Sequence, residues 1–130
     1  MAKNLKTMKY YFSDREKSAI VQVAIQMQNA DGNDHINEYA LNLAVFKSLN
    51  VKDENIDDAK SMSPLTAMEI IKNMTYEEKK FVCSYLATIM CADKNIDDKE
   101  LTLWKFISTM CDLPTMHIAE ALKYFMENHK

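Results

Sequence analysis

The sequence predicts an all-α fold: a single-domain bundle of about six or seven helices, built from two pseudo-repeated helix-loop-helix units. Three observations lead there. No segment sustains the period-two alternation of a half-buried strand. The 130 residues contain one Gly and two Pro but ten Met; tight hairpins need Gly, whereas Met favours helices and fills irregular cores. Finally, one arrangement of apolar helix, acidic loop and apolar helix occurs twice. The chain divides into an N-terminal segment, 1–12, and one helical domain, 13–130, with repeat halves at about 13–50 and 75–114.

Residues 1–12 place Leu5, Met8 and Tyr11 at helical spacing and allow a short leading helix. Ser13 and Glu16 form an S-x-x-E capping box, in which each side chain satisfies a free amide at a helix start. Ile20, Val23, Ala24 and Met27 follow at the spacing of an amphipathic helix. Asn29 to Asn33, with Gly32, breaks it. Asn37 is expected to cap the next helix, with Leu41, Ala44, Val45 and Ser48 as its stripe, Leu43 and Phe46 widening it, and Asn50 as its stop. Val51 to Met62 reads as a short surface helix or ordered loop with Ile56 and Ala59 inward. Ser63-Pro64 starts another helix, since Pro suits the first helical position, and Leu65, Met68, Ile71 and Met74 line it. Thr75 and Glu78 make a second box ahead of Phe81, Val82, Tyr85, Leu86, Ile89 and Met90, which ring a helix expected to be central. Asp97 and Glu100 make a third box, and Leu101, Leu103, Trp104, Phe106, Ile107 and Met110 again point to burial all round. Leu113-Pro114 ends that helix. Thr115 is expected to cap a last one through Ile118, Ala121, Leu122 and Phe125.

The repeat is read at an offset of 62 before the loops, where Glu16-Lys17 matches Glu78-Lys79 and Ala30-Asp31 matches Ala92-Asp93. Beyond them the reading falls to 60, pairing Ile36 with Ile96, Leu41 with Leu101 and Phe46 with Phe106. The first loop then carries two extra residues, and Ala40 stands opposite Glu100. On these residues, which follow the pattern A-D-G-x-I-D-x-x-E between two apolar helices, the stretch from Ser13 to Pro114 resembles the tellurite-resistance TerB family. That domain also occurs in an N-terminal region of some membrane-bound DnaJ-type co-chaperones. The resemblance implies an all-helical fold, a link to stress responses and acidic loops proposed to bind cations. Lys94 replaces the pattern's Gly in the second copy, and Asn37 replaces its Asp in the first.

The formal net charge is −3, and Lys3, Lys6 and Lys9 are too scattered for the basic footprint of a nucleic-acid binder. Cys83 and Cys91 lie about 12 Å apart along one helix, which excludes a disulfide between them. With Cys111 they read as packed free thiols in a reducing compartment. No run is long and apolar enough to span a membrane and no signal-peptide pattern opens the chain, so a cytoplasmic location and no membrane insertion are expected.

Hard cations such as Ca²⁺ or Mg²⁺ need clustered oxygen ligands. Asp93, Asp97 and Glu100, with Asp31 and Glu38, are the candidate set; Asp34 lies beside them, and His35 is a weaker transition-metal candidate. Neither loop completes an EF-hand. Capping offers the competing account: Asp97 and Glu100 start a helix, Asp98 suits its dipole, and Asp93 bonds its own turn. No nucleophile triad, P-loop or dinucleotide fingerprint is present. The expectation is a non-enzymatic interaction or stress-response module, with a protein partner or self-association, and with a divalent cation as its one candidate cofactor. The alternatives are a metal-dependent enzyme using the same carboxylates, or a purely structural oligomerisation domain. Among the Met side chains, Met62, Met68 and Met116 are expected to be the exposed ones.

Overall fold

The computed structural model describes residues 12–30, 36–92 and 98–128, with the side chains of 36–40 and of Asn128 left aside. These residues form seven helices and no strand: α1 (Asp14–Gln28), α2 (Ile36–Ser48), α3 (Asp53–Ser61), α4 (Pro64–Lys72), α5 (Tyr76–Met90), α6 (Asp98–Met110) and α7 (Ile118–Asn128). The all-α bundle expected from the sequence is what the chain forms.

The capping signals set the helix starts. Ser13 Oγ accepts from the Glu16 amide at 3.2 Å while Glu16 Oε1 accepts from the Ser13 amide at 2.8 Å. Thr75 and Glu78 make the same reciprocal pair at α5. Ser63 caps α4, whose first residue is Pro64. Each such cap satisfies amides that the helix leaves without a partner, an effect of about 1 kcal/mol.

Helix α5 is the axis of the fold, as its apolar circumference predicts. Ten of its fifteen residues are buried, and it packs against α1, α2, α6 and α7. Helix α1 is the second central element and touches α2, α3, α4, α5 and α6. Phe12, Phe81, Tyr85 and Phe125 form an aromatic cluster with neighbouring ring centroids about 6 Å apart. Pairs at this spacing add about 1 kcal/mol beyond the area they bury.

The register of the duplication differs from the sequence reading. An offset of 62 holds throughout, from Asp14 to Tyr76, Gln28 to Met90, Ile36 to Asp98 and Ser48 to Met110. Burial follows it. Asn42 and Val45 are buried, as are Trp104 and Ile107; Leu43, Ala44, Lys47 and Ser48 are exposed, as are Lys105, Phe106, Thr109 and Met110. Both second helices end alike, with Val51 N–H donating to Phe46 O and Leu113 N–H to Ser108 O, each at 2.8 Å. Asn50 and Asp112 then take left-handed φ values of 57° and 51°, the ending of a helix that folds back on itself. The two loops are therefore equal in length, and Glu38, not Ala40, is the counterpart of Glu100. An offset of 60 misleads because two helical residues span about 200°, which carries a side chain to the opposite face.

Other expectations are corrected by the same geometry. Helix α2 begins at Ile36, so Asn37 lies inside it. Residues 53–61 form the expected short helix with Ala59 inward, but Asn55 is buried and Ile56 only half-buried. Leu65 is exposed, while Ala67, Met68 and Ile71 point inward. Met62, Met68 and Met116 are buried. Helix α7 starts at Ile118, not behind Thr115, and His117 N–H donates to Glu120 Oε1 at 3.3 Å.

Two polar devices lie in the interior. Gln22 Nε2 donates to the Ala59 and Met62 carbonyls at 2.6 and 2.9 Å, closing the end of α3 from α1. Tyr85 OH donates to Asn42 Oδ1 at 2.7 Å, and Asn42 Nδ2 donates to Gln28 Oε1 at 2.5 Å, tying α5, α2 and α1 together. Removing the phenolic O–H strands a buried acceptor, so Tyr85→Phe should destabilise the fold by about 1–3 kcal/mol. Urea unfolding checks this, and Asn42→Leu in the Tyr85→Phe background should recover part of the loss.

Candidate functional site

The candidate cation ligands divide by position. Asp31, Asp93 and Asp97 lie outside the described residues, as do Asp34 and His35. Glu38 is the third residue of α2 and Glu100 the third of α6. The repeat thus puts a glutamate at the same first-turn position of α1, α2, α5 and α6, namely Glu16, Glu38, Glu78 and Glu100.

Glu100 is 1% exposed. Its carboxylate lies near Cys91, where burial first and then the Glu100 charge push the Cys91 thiol up. Glu78 is likewise buried and closes its capping box onto Thr75. Glu100 thus shares with Glu78 both burial and the third position of its helix. Among the described residues, no three His, Cys, Asp or Glu side chains group closely enough to hold a metal ion. Of the five predicted ligands, only the Glu100 side chain lies among the described ones.

The structure draws attention to surfaces that sequence reasoning passed over. Helix α6 was expected to be buried all round, yet of its apolar side chains only Trp104 and Ile107 are buried. Phe106 and Met110 are exposed and Leu103 half-buried, so Leu103, Phe106 and Met110 form an outward stripe at i, i+3 and i+7. Leu65 of α4 adjoins it, sharing with Met110 and Met68 a concavity of about 430 Å³. A second concavity of about 500 Å³ runs between the end of α6 and the segment before α7. The offset of 62 sets Phe106 opposite Ala44 and Ser108 opposite Phe46, so the two units differ in bulk at both surfaces.

The thiols are shielded to different extents. Cys83 and Cys111 are buried and Cys91 half-buried. Burial pushes Cys83 from an ordinary value of 9.0 to about 11 and Cys111 to about 12. A thiol that ionises later in the folded chain than in the unfolded one favours folding below its unfolded value, and that advantage is lost as pH rises. Stability should therefore stay level up to about pH 9 and fall between about pH 9 and 12, with a shallower fall in Cys83→Ala. Thermal melts across that range check this. At neutral pH a thiol reagent should label Cys91 first, which mass spectrometry of the native protein reads directly.

Among the described residues, no helix is long and apolar enough to cross a membrane. No protein-family model matches the chain, and no curated protein matches it. A crystal structure of a protein of unknown function from Porphyromonas gingivalis W83 is similar, at 38% sequence identity and a TM-score of 0.77. The similarity covers 88% of this chain and 98% of that one. At that identity, and over nearly the full length of both, this chain belongs to the same family as the Porphyromonas gingivalis protein.

Proposed function

We propose that the chain is a non-enzymatic, TerB-like interaction module of the stress-response type, which engages a protein partner or a second copy through the outward face of α6. The observation that carries this reading is the run of Leu103, Phe106 and Met110 with Leu65 beside it. Phe106 is 48% exposed and Leu65 64% exposed, on helices whose other faces already fill the core. A contiguous apolar patch on an otherwise charged surface is a mark of a recognition site. The charged rim (Asp98 and Lys99 beside Leu103 and Phe106) gives that patch the polar border of an interface.

The resemblance to TerB adds a divalent cation on the acidic loops, with Asp31, Asp93 and Asp97 as its ligands and Glu38 at the edge of the first loop. Glu100 is better read as the cap of α6 because of its burial. When bound, such an ion would neutralise the loop carboxylates and fix the loop backbone.

Phe106→Glu should leave stability within about 1 kcal/mol, since the ring is half outside the core. It should shift a concentration series in sedimentation velocity toward monomer, or abolish chemical cross-linking to the partner. An unchanged assembly state together with unchanged cross-linking would sink the α6 reading. Separately, Ca²⁺ or Mg²⁺ should raise the melting temperature in wild type and not in Asp93→Asn. No response in wild type removes the cation while leaving the interaction surface standing.

A further inference from the structure

The duplication supplies an internal control for the outward face of α6. At the offset of 62, Leu103, Phe106 and Met110 answer Leu41, Ala44 and Ser48 of α2. In each trio the first residue is half-buried and the other two are exposed. Ala44 and Ser48 show that this helix frame needs no large apolar side chain at those positions. Folding of the chain therefore does not account for Phe106 and Met110, which stand 48% and 42% exposed. Their spacing is informative. Lys99, Leu103, Phe106 and Met110 recur at four, three and four residues, the spacing of a seam along which one helix lies on another. Exposed Thr102 and Thr109 flank that seam, so no charge runs beside it. The charges at its two ends are balanced, with Asp98 and Lys99 at the start of α6 and Glu69 and Lys72 beside Met110.

We infer that the occupant of this face is a second copy of the chain, with α6 lying antiparallel on α6 about a two-fold axis that passes between Leu103 and Phe106. A face that pairs with itself must be its own complement. A strongly acidic or basic partner finds no excess charge here to match, whereas a face with such an excess would repel its own copy. The two-fold sets Leu103 against Phe106 of the partner subunit and Met110 against the aliphatic stem of Lys99 of the partner subunit. One acid and one base at the start of α6 then face one acid and one base beside the end of the other α6. A parallel pairing would instead set Asp98 against Asp98 of the partner subunit and align the two helix dipoles. The face is about 20 Å long and, with α4, about 20 Å wide. That footprint of about 400 Å² is roughly half of what one partner gives to a standard interface, so the dimer is weak and reversible. The inference rests on the reading of α6 as an interaction face and names its occupant.

Sedimentation velocity of the full chain between about 10 μM and 1 mM should show a reversible monomer–dimer equilibrium. Phe106→Glu, an exposed change that each dimer carries twice, should weaken it at least tenfold. Each chain carries −3 overall and the face is balanced, so added salt should leave the association unchanged or slightly tighter. The register is read separately. Chains with Leu103→Cys, mixed with chains with Phe106→Cys, should form a mixed disulfide under mild oxidation, identified by mass spectrometry of the joined peptides. The yield should exceed that of Leu103→Cys mixed with Met110→Cys. A chain that stays monomeric over the whole range overturns the inference. If Phe106→Glu still abolishes cross-linking to an unlike protein in that case, α6 remains an interaction face and only the second copy is lost. Self-association that Phe106→Glu leaves intact, or that falls steeply with salt, overturns the inference as well. Disulfides that join position 103 to 110 in preference to 106 overturn the antiparallel register.

Discussion

The enclosure of α5 is the constraint on which the rest of the structure depends. A helix with ten buried residues needs neighbours on nearly every side, and α1, α2, α6 and α7 supply them. Once α1 lies against α5, its own remaining face requires α3 and α4. The seven helices are in this sense arranged by two sequences, Tyr76–Met90 and Asp14–Gln28, that cannot be left in water. The hydrogen bonds from Tyr85 to Asn42 and from Asn42 to Gln28 then fix which turn of α2 meets which turn of α5, because apolar packing alone has little directional preference.

The two units share a backbone and differ in their use of it. Lys17 Nζ donates to the Asn50 carbonyl at 3.3 Å, and Lys79, its counterpart, approaches the Asp112 carboxylate. Both thus anchor the same left-handed turn from the preceding helix pair. Elsewhere the side chains diverge. Asn42 is answered by Trp104, whose Nε1 donates to the Cys83 carbonyl at 3.3 Å, and Phe46 by Ser108. One unit is internally tied; the other carries the outward apolar stripe and the groove.

Much of this was legible in the sequence, for physical reasons particular to each element. The pairs Ser13 with Glu16 and Thr75 with Glu78 could be read directly, since a capping box is a local interaction that needs no knowledge of the fold. The centrality of α5 followed from apolar residues around its circumference. The orientation of α6 did not follow, because Leu103, Phe106 and Met110 are as apolar as Trp104 and Ile107, and only the neighbours decide which stripe is covered. Leu65 failed likewise: its apolarity suggested burial where Ala67, Met68 and Ile71 already fill the contact. The register failed because isolated identities such as Phe46 with Phe106 outweighed the match of Glu38 with Glu100, each the third residue of its helix. Of the candidate cation ligands, Asp31, Asp93 and Asp97 fall outside the described residues, and the burial of Glu100 was invisible in a motif that treats every acidic residue as a ligand.

The pairing of α1 with α5 also has a consequence for how the protein is made. The contacts between this part of the chain and α5 join distant residues, as Phe12, just ahead of α1, with Phe81, and distant contacts close slowly. On the ribosome, α1 through α4 emerge first, with the side of α1 that will meet α5 still uncovered. Translation must continue through Met90 before that surface is shielded. During that interval the nascent chain has helices but no finished interior, and it is then most exposed to aggregation.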